Sequence, residues 1–207
     1  MSNLKQIGIA MNMYGNDHAK YPWAAEFTWP GIPTTSWVYR IQSYLGKRAP
    51  VWSFTSADDR SPVIQCHGRK VRSTNVVNCY GAHSWLMGWK TVSPWDDFPV
   101  GRYPRPYPFT QRPAEVLLIA DAAQPGGSGG EAFPVLYAPI DDFSTDYAVG
   151  NPNDPSTLTF NDDTFFNSII RYRHMFNQRA NFLMVDGHVE SIKYGDLKRR
   201  NVRISGL

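Results

Sequence analysis

The chain has 207 residues, 42% of them hydrophobic and 14% aromatic, and a formal net charge of +3. Such a composition buries a real core, which excludes wholesale disorder, and the length suits one domain better than two. The charge is too small to mark a nucleic-acid binder by itself, and no window holds the roughly 18 consecutive apolar residues of a membrane span. On these totals alone the chain reads as soluble and cytosolic.

Leu4, Ile7, Met11, Tyr14 and His18 recur at three- and four-residue steps, which predicts a helix over residues 1 to about 18. Gly15 weakens that helix and Pro22 closes the segment. A second, short helix is predicted over Trp37 to Leu45, with Trp37, Ile41, Tyr44 and Leu45 on one side and Gly46 ending it.

Cys66 and Cys79 follow, 13 positions apart. The pair permits one disulfide, worth ~3 kcal/mol through the unfolded state, with two thiols as the alternative. Cys66, His67, Cys79 and His83 can also be combined into a zinc set. The tight cysteine knuckles of usual zinc sites are missing, however, and adjacent Cys66 and His67 would point opposite ways in a strand.

Prolines 99, 104, 106, 108 and 113 predict an extended surface loop. VLLIAD, residues 116–121, is a short continuous apolar run and predicts a strand buried on both faces. The glycine-rich QPGGSGG at 124–130 is not a phosphate loop, because no Gly-Lys-Ser/Thr follows and prolines stand where the helix should start. Residues 141–163 then turn acidic. Asp141, Asp142, Asp146, Asp154, Asp162 and Asp163 offer the hard oxygens that Ca2+ takes, without the order of an EF-hand, and a solvated loop is the alternative.

The clearest element is ANFLMVDGHVESIKYG, in which two apolar runs (181–185 and 188–193) flank Asp186-Gly187. That dipeptide predicts a β-hairpin with a tight type I′ turn. The turn accounts for Asp186 and Gly187 without chemistry, and with no Gly-x-Ser-x-Gly elbow or His-Glu-x-x-His pair the residues His174, Asp186 and His188 read as structural. Lys193, Lys198, Arg199, Arg200 and Arg203 make a basic end, with Arg171, Arg173, Arg179, Tyr172 and Phe176 nearby; a run of this size reads as a solvated face rather than a nucleic-acid surface.

Three segments together resemble one family: SNLKQIGIAMNMY with its Tyr-Pro stop, RPAEVLLIAD, and RYRH…ANFLMVDGHVESI. They are similar to prepilin-type proteins, that is, type IV pilin-like and type II secretion pseudopilin-like proteins, with a His, nine-residue, Asp-Gly signature near the C-terminus. The resemblance carries Asp121, His174, Asp186 and Gly187 over as signature positions. Here residues 175–185 separate His174 from Asp186, 11 rather than nine.

The resemblance implies an α+β fold in a single domain spanning 1–207, with the N-terminal spine helix packed on a mainly antiparallel β-sheet. The sheet would include 116–121, 181–185 and 188–193, with loop insertions at about 90–113 and 124–165. Residues 1 to about 18 would be the C-terminal part of the spine, its apolar membrane half lying ahead of them, with Leu4, Ile7, Met11 and Tyr14 as the stripe that meets the sheet. The head would then lie outside the cytoplasmic membrane, in the periplasm or at the cell surface, where a Cys66–Cys79 disulfide is chemically permitted. The expected role is a structural, non-enzymatic subunit of a pilus or pseudopilus, partnered by other subunits through the spine and by the membrane. No cofactor is expected beyond Ca2+ at the acidic segment. The alternative is a membrane-anchored surface protein that binds a glycan or other solute and never polymerises.

Overall fold

Leu4, Ile7, Ala10, Met11 and Tyr14 form the buried face of the first helix, α1 (Ser2–His18). In this computed structural model the residues described are 2–28, 32–47, 60–66, 78–92, 100–109, 111–123, 135–136, 170–202 and 204. The acidic segment carrying Asp141, Asp142, Asp146, Asp154, Asp162 and Asp163 lies outside them, as do the glycine-rich stretch 124–130, His67 and Arg203.

After α1 come β1 (Ala25–Thr28), β2 (Ile32–Ser36), α2 (Trp37–Arg40), β3 (Tyr80–His83), α3 (Ser84–Met87), β4 (Trp89–Val92) and β5 (Val100–Arg102). The chain continues through β6 (Leu117–Asp121), β7 (Val135–Leu136), β8 (Arg179–Met184) and β9 (Val189–Lys193). The fold is α+β. One sheet has the strand order β7-β3-β6-β8-β9, antiparallel except where β7 joins β3; a second has the order β2-β1-β4-β5.

α1 covers one face of the five-stranded sheet, where its buried side chains share a core with Tyr80, Leu118, Ile119 and Leu183. Leu117, Ala120, Phe182 and Met184 point to the other face and pack with Tyr172, Leu197 and Val202. Thus β6 is buried throughout, and a register shift between Leu117 and Ile119 lets Leu118 and Ile119 both serve the α1 side. Fully burying side chains such as Leu117, Ile119 and Phe182 contributes roughly 1.5–3 kcal/mol each.

Gly15 has a use beyond weakening its helix. A Cβ there would stand 2.4 Å from the ring of Tyr107, so the missing side chain lets that ring cross α1 and bond to Asn12, Oη to Oδ1, at 2.9 Å.

Three local expectations change. The second helix is split into α2 and a 3-10 turn at Ser43–Leu45, because the Gln42 N–H turns to Tyr39 O, three residues back, before Gly46 closes the segment at φ 74°. The proline-rich 90–113 stretch carries strand β5, paired antiparallel to β4. The 186–187 turn is not type I′, which needs positive φ at two central residues. Gly187 has φ 89° while Asp186 does not enter that region, and the Gly187 N–H donates to Met184 O at 3.0 Å. Met184 N–H in turn donates to His188 O at 2.9 Å, which gives a three-residue loop closed by a left-handed glycine. Val185 and Asp186 are held aside by backbone bonds to Val116 O and Pro113 O, and those tertiary bonds select the wider loop.

Candidate functional site

Strand alternation puts Asp121, the last residue of β6, on the same face as Ile119, beneath α1 and opposite Tyr80 of β3. Its carboxylate is wholly buried. Oδ2 accepts from the Asn181 backbone N–H at 2.7 Å and lies 3.1 Å from His174 Nε2. Oδ1 has no hydrogen-bond partner among the described residues. A buried ionised carboxylate in that condition is costly unless a positive charge meets it.

His174 is delivered by a second stretch of chain. Ile170 bridges to Ala122, Arg171 N–H donates to Asp121 O at 2.9 Å, and an Arg173 NH2 group donates to Ala122 O. His174 then exchanges both backbone hydrogen bonds with Arg179, closing a tight turn into β8. Within it Met175, Phe176 and Asn177 hold φ of 49°, 59° and 63°. Left-handed backbone costs about 1–2 kcal/mol per non-glycine residue, so the turn stores strain while it fixes the imidazole. The His174 side chain stays about a quarter exposed, whereas Asp121 and Cys66 are buried.

Cys66 comes from the opposite direction. A 3-10 turn at Pro62–Ile64 is capped by Ser61, whose side chain accepts from Val63 N–H. Gln65 O, just before the cysteine, accepts from Asn3 Nδ2 of α1 at 2.5 Å. The buried Sγ of Cys66 ends 3.4 Å from His174 Nε2. Thiol sulfur, imidazole nitrogen and carboxylate oxygen all lie within 4.8 Å of one another. Burial pushes the Tyr80 phenol well above its usual range, and Asp121, Cys66 and Cys79 beside it add to the rise, so it stays neutral.

The atoms involved restrict the chemistry. In a nucleophilic triad the base accepts the proton through one ring nitrogen and is oriented through the other. Here thiol and carboxylate converge on the same Nε2. That is an arrangement for donor atoms around a common point, not for a proton relay.

Of the signature positions, the structure brings Asp121 and His174 together and leaves Asp186 and Gly187 at the far end of β8, roughly 20 Å away at the usual rise per strand residue. The 11 residues between His174 and Asp186 are the turn 175–178, the six residues of β8 and Val185. Asp186 instead pairs with His188, Oδ1 to Nδ1 at 2.6 Å, on the exposed tip. Gly187 faces α1, where a Cβ would be 3.5 Å from Asn12 Nδ2.

Among the described residues, two other sequence-derived pairings are not formed. Cys66 and Cys79 form no disulfide; both are buried thiols, and Cys66 Sγ is turned toward His174. The set of Cys66, His67, Cys79 and His83 fails at His83. Its Nδ1 accepts from Trp85 N–H at 3.1 Å and its Nε2 donates to Val202 O at 2.7 Å, so no lone pair remains for a metal. Burial lowers its pKa to about 4, which keeps the imidazole neutral. Sequence reasoning named Asp121 and His174 but missed their link to Cys66. No local signal announces it, since His174 lies 108 positions from the cysteine and 53 from the aspartate.

The described residues thus define an α+β fold in which the N-terminal helix covers a five-stranded sheet. A family model described as SBP_bac_10, a protein of unknown function (DUF1559), matches residues 1–59, the part that contains α1, β1, β2 and α2. No curated protein and no solved structure matches the chain significantly.

Proposed function

We propose that this chain is the head of a pilin-like, extracytoplasmic protein, a structural and non-enzymatic subunit that packs through α1 against its neighbours in a pilus or pseudopilus filament. The observation that carries this reading is a pair of exposed apolar side chains on the outer side of α1, opposite its buried face. Leu4, Ile7, Met11 and Tyr14 are consumed by the protein's own sheet. Ile9 and Met13, one turn apart on the outer side, are 61% and 47% exposed. In a spine, such a pair supplies apolar contact for the next subunit. The repeat of such a heterologous contact is an open helical array. The family model falls on this same segment, whose sequence resembles the spine of pilin-like proteins. On this reading the native protein is membrane-anchored before assembly, and its partners are other subunits.

The test is immunolabelling of surface filaments from cells that produce the native protein, beside cells carrying Ile9→Lys and Met13→Lys. Label along filaments, lost in the variants while the purified heads keep their unfolding temperature, is the expected result. Native protein found only as single anchored copies, or filaments indifferent to both substitutions, would refute the proposal. Polysaccharide binding without filaments would select the surface-binding alternative instead.

A further inference from the structure

We infer that Cys66, Asp121 and His174 form a binding site for one divalent transition-metal ion of the zinc type, with three protein ligands and a position open toward solvent. The inference is independent of the filament reading, since it rests on side chains beneath α1 and not on its outer face.

Three observations converge on it. First, the donor atoms are already spaced as ligands. With zinc bonds of about 2.3 Å to sulfur and about 2.0–2.2 Å to nitrogen and oxygen, the edges of a tetrahedron come to roughly 3.6 Å for S–N and 3.3 Å for N–O. Cys66 Sγ to His174 Nε2 is 3.4 Å and His174 Nε2 to Asp121 Oδ2 is 3.1 Å. The remaining Sγ–Oδ2 edge lies within 4.8 Å, close enough for side-chain rotation to complete the set.

Second, the carboxylate has acceptor capacity to spare. Asp121 is wholly buried and its Oδ1 meets no donor among the described residues. A dication bound by one thiolate, one carboxylate and one neutral imidazole makes a neutral unit, the form a buried site favours.

Third, each ligand is held by independent structure, as metal ligands usually are. Asn181 N–H fixes the carboxylate, the strained 174–179 turn fixes the imidazole, and Asn3 of α1 holds the carbonyl before the cysteine. The mixture of sulfur, nitrogen and oxygen selects a borderline ion such as zinc over calcium or magnesium, which take oxygen alone. Binding replaces the thiol proton, so at least one proton leaves for each ion taken up and affinity rises with pH.

The test uses metal-stripped 207-residue protein titrated with Co2+, whose bond to a thiolate gives a near-ultraviolet charge-transfer band and whose tetrahedral complexes absorb in the visible. The expected result is one Co2+ per chain with both features, displaced by one equivalent of Zn2+, and a zinc-dependent rise in unfolding temperature. Cys79→Ser keeps all of this. Cys66→Ser abolishes the charge-transfer band, and His174→Gln weakens binding by ~100-fold or more, beyond what loss of a merely orienting group causes. Should Cys66→Ser fail to fold, His174→Gln and protection of one thiol from alkylation by stoichiometric zinc carry the same decision. No charge-transfer band in the parent protein, a band undiminished in Cys66→Ser, or a zinc shift equal in His174→Gln would overturn the inference.

Discussion

Acidification tests the most deeply buried imidazole among the described residues. His83 is wholly buried, accepts from Trp85 N–H at Nδ1, and donates from Nε2 to Val202 O. A proton can enter only at Nδ1, where a backbone donor already points, and the new charge would have no water around it. The pKa is lowered to about 4, with burial as the chief cause and the backbone bonds opposing it. Against an unfolded value of about 6.5, the difference of about 2.5 units at 1.36 kcal/mol each comes to roughly 3 kcal/mol.

Between those two values the unfolded chain binds the proton and the folded chain does not, so stability is fully present above pH 6.5 and is lost as pH falls toward 4. Urea unfolding at pH 7.5 and pH 4.0, for the parent protein and for His83→Gln, isolates this contribution from that of other titrating groups. The parent should lose about 3 kcal/mol more than the variant over that interval, a large part of an ordinary domain's 5–15 kcal/mol. An equal loss in both proteins, or an imidazole resonance of His83 titrating near pH 6.5 in the native state, would refute the reasoning.

Other substitutions probe the elements around the site. Gly15→Ala gains up to about 1 kcal/mol of helix propensity but drives a Cβ into the Tyr107 ring, and should lower stability by a net ~1–2 kcal/mol in denaturant melts. Gly187→Ala imposes left-handed backbone at φ 89° and should lower stability by about 1–2 kcal/mol, with no change in cobalt binding, because the turn lies at the other end of β8. Phe182→Ala opens a cavity in the core on the sheet face away from α1 and should lower stability by about 3–5 kcal/mol. Asp121→Ala strands the Asn181 N–H and should lower the stability of metal-free protein by about 1–3 kcal/mol; unchanged stability would mean that water replaces the carboxylate.

Much of this fold is legible in the chain because the causes are local. The three- and four-residue spacing through Leu4, Ile7, Met11 and Tyr14 marks a helix with one apolar face whatever it packs on. Leu117 to Asp121 is apolar except at its end, and a strand with two covered faces follows from that. The strands around Asp186-Gly187 were equally readable, since a left-handed position calls for glycine.

The wider loop, in contrast, depends on Val116 O and Pro113 O, which reach Val185 and Asp186 from another part of the chain. Cys66 illustrates the limit most clearly. Read along the chain, it could pair with Cys79, 13 residues on, or remain a thiol, and nothing in the sequence pointed to Asp121 or His174. Only the tertiary structure, by bringing the end of β6, the turn into β8 and the residue after a 3-10 turn to one point under α1, decides that its neighbours are Asp121 and His174. A sequence carries its periodicities in the residues themselves. The convergence of three side chains from three distant segments is a property of how the sheet and helix pack, and no short stretch contains it.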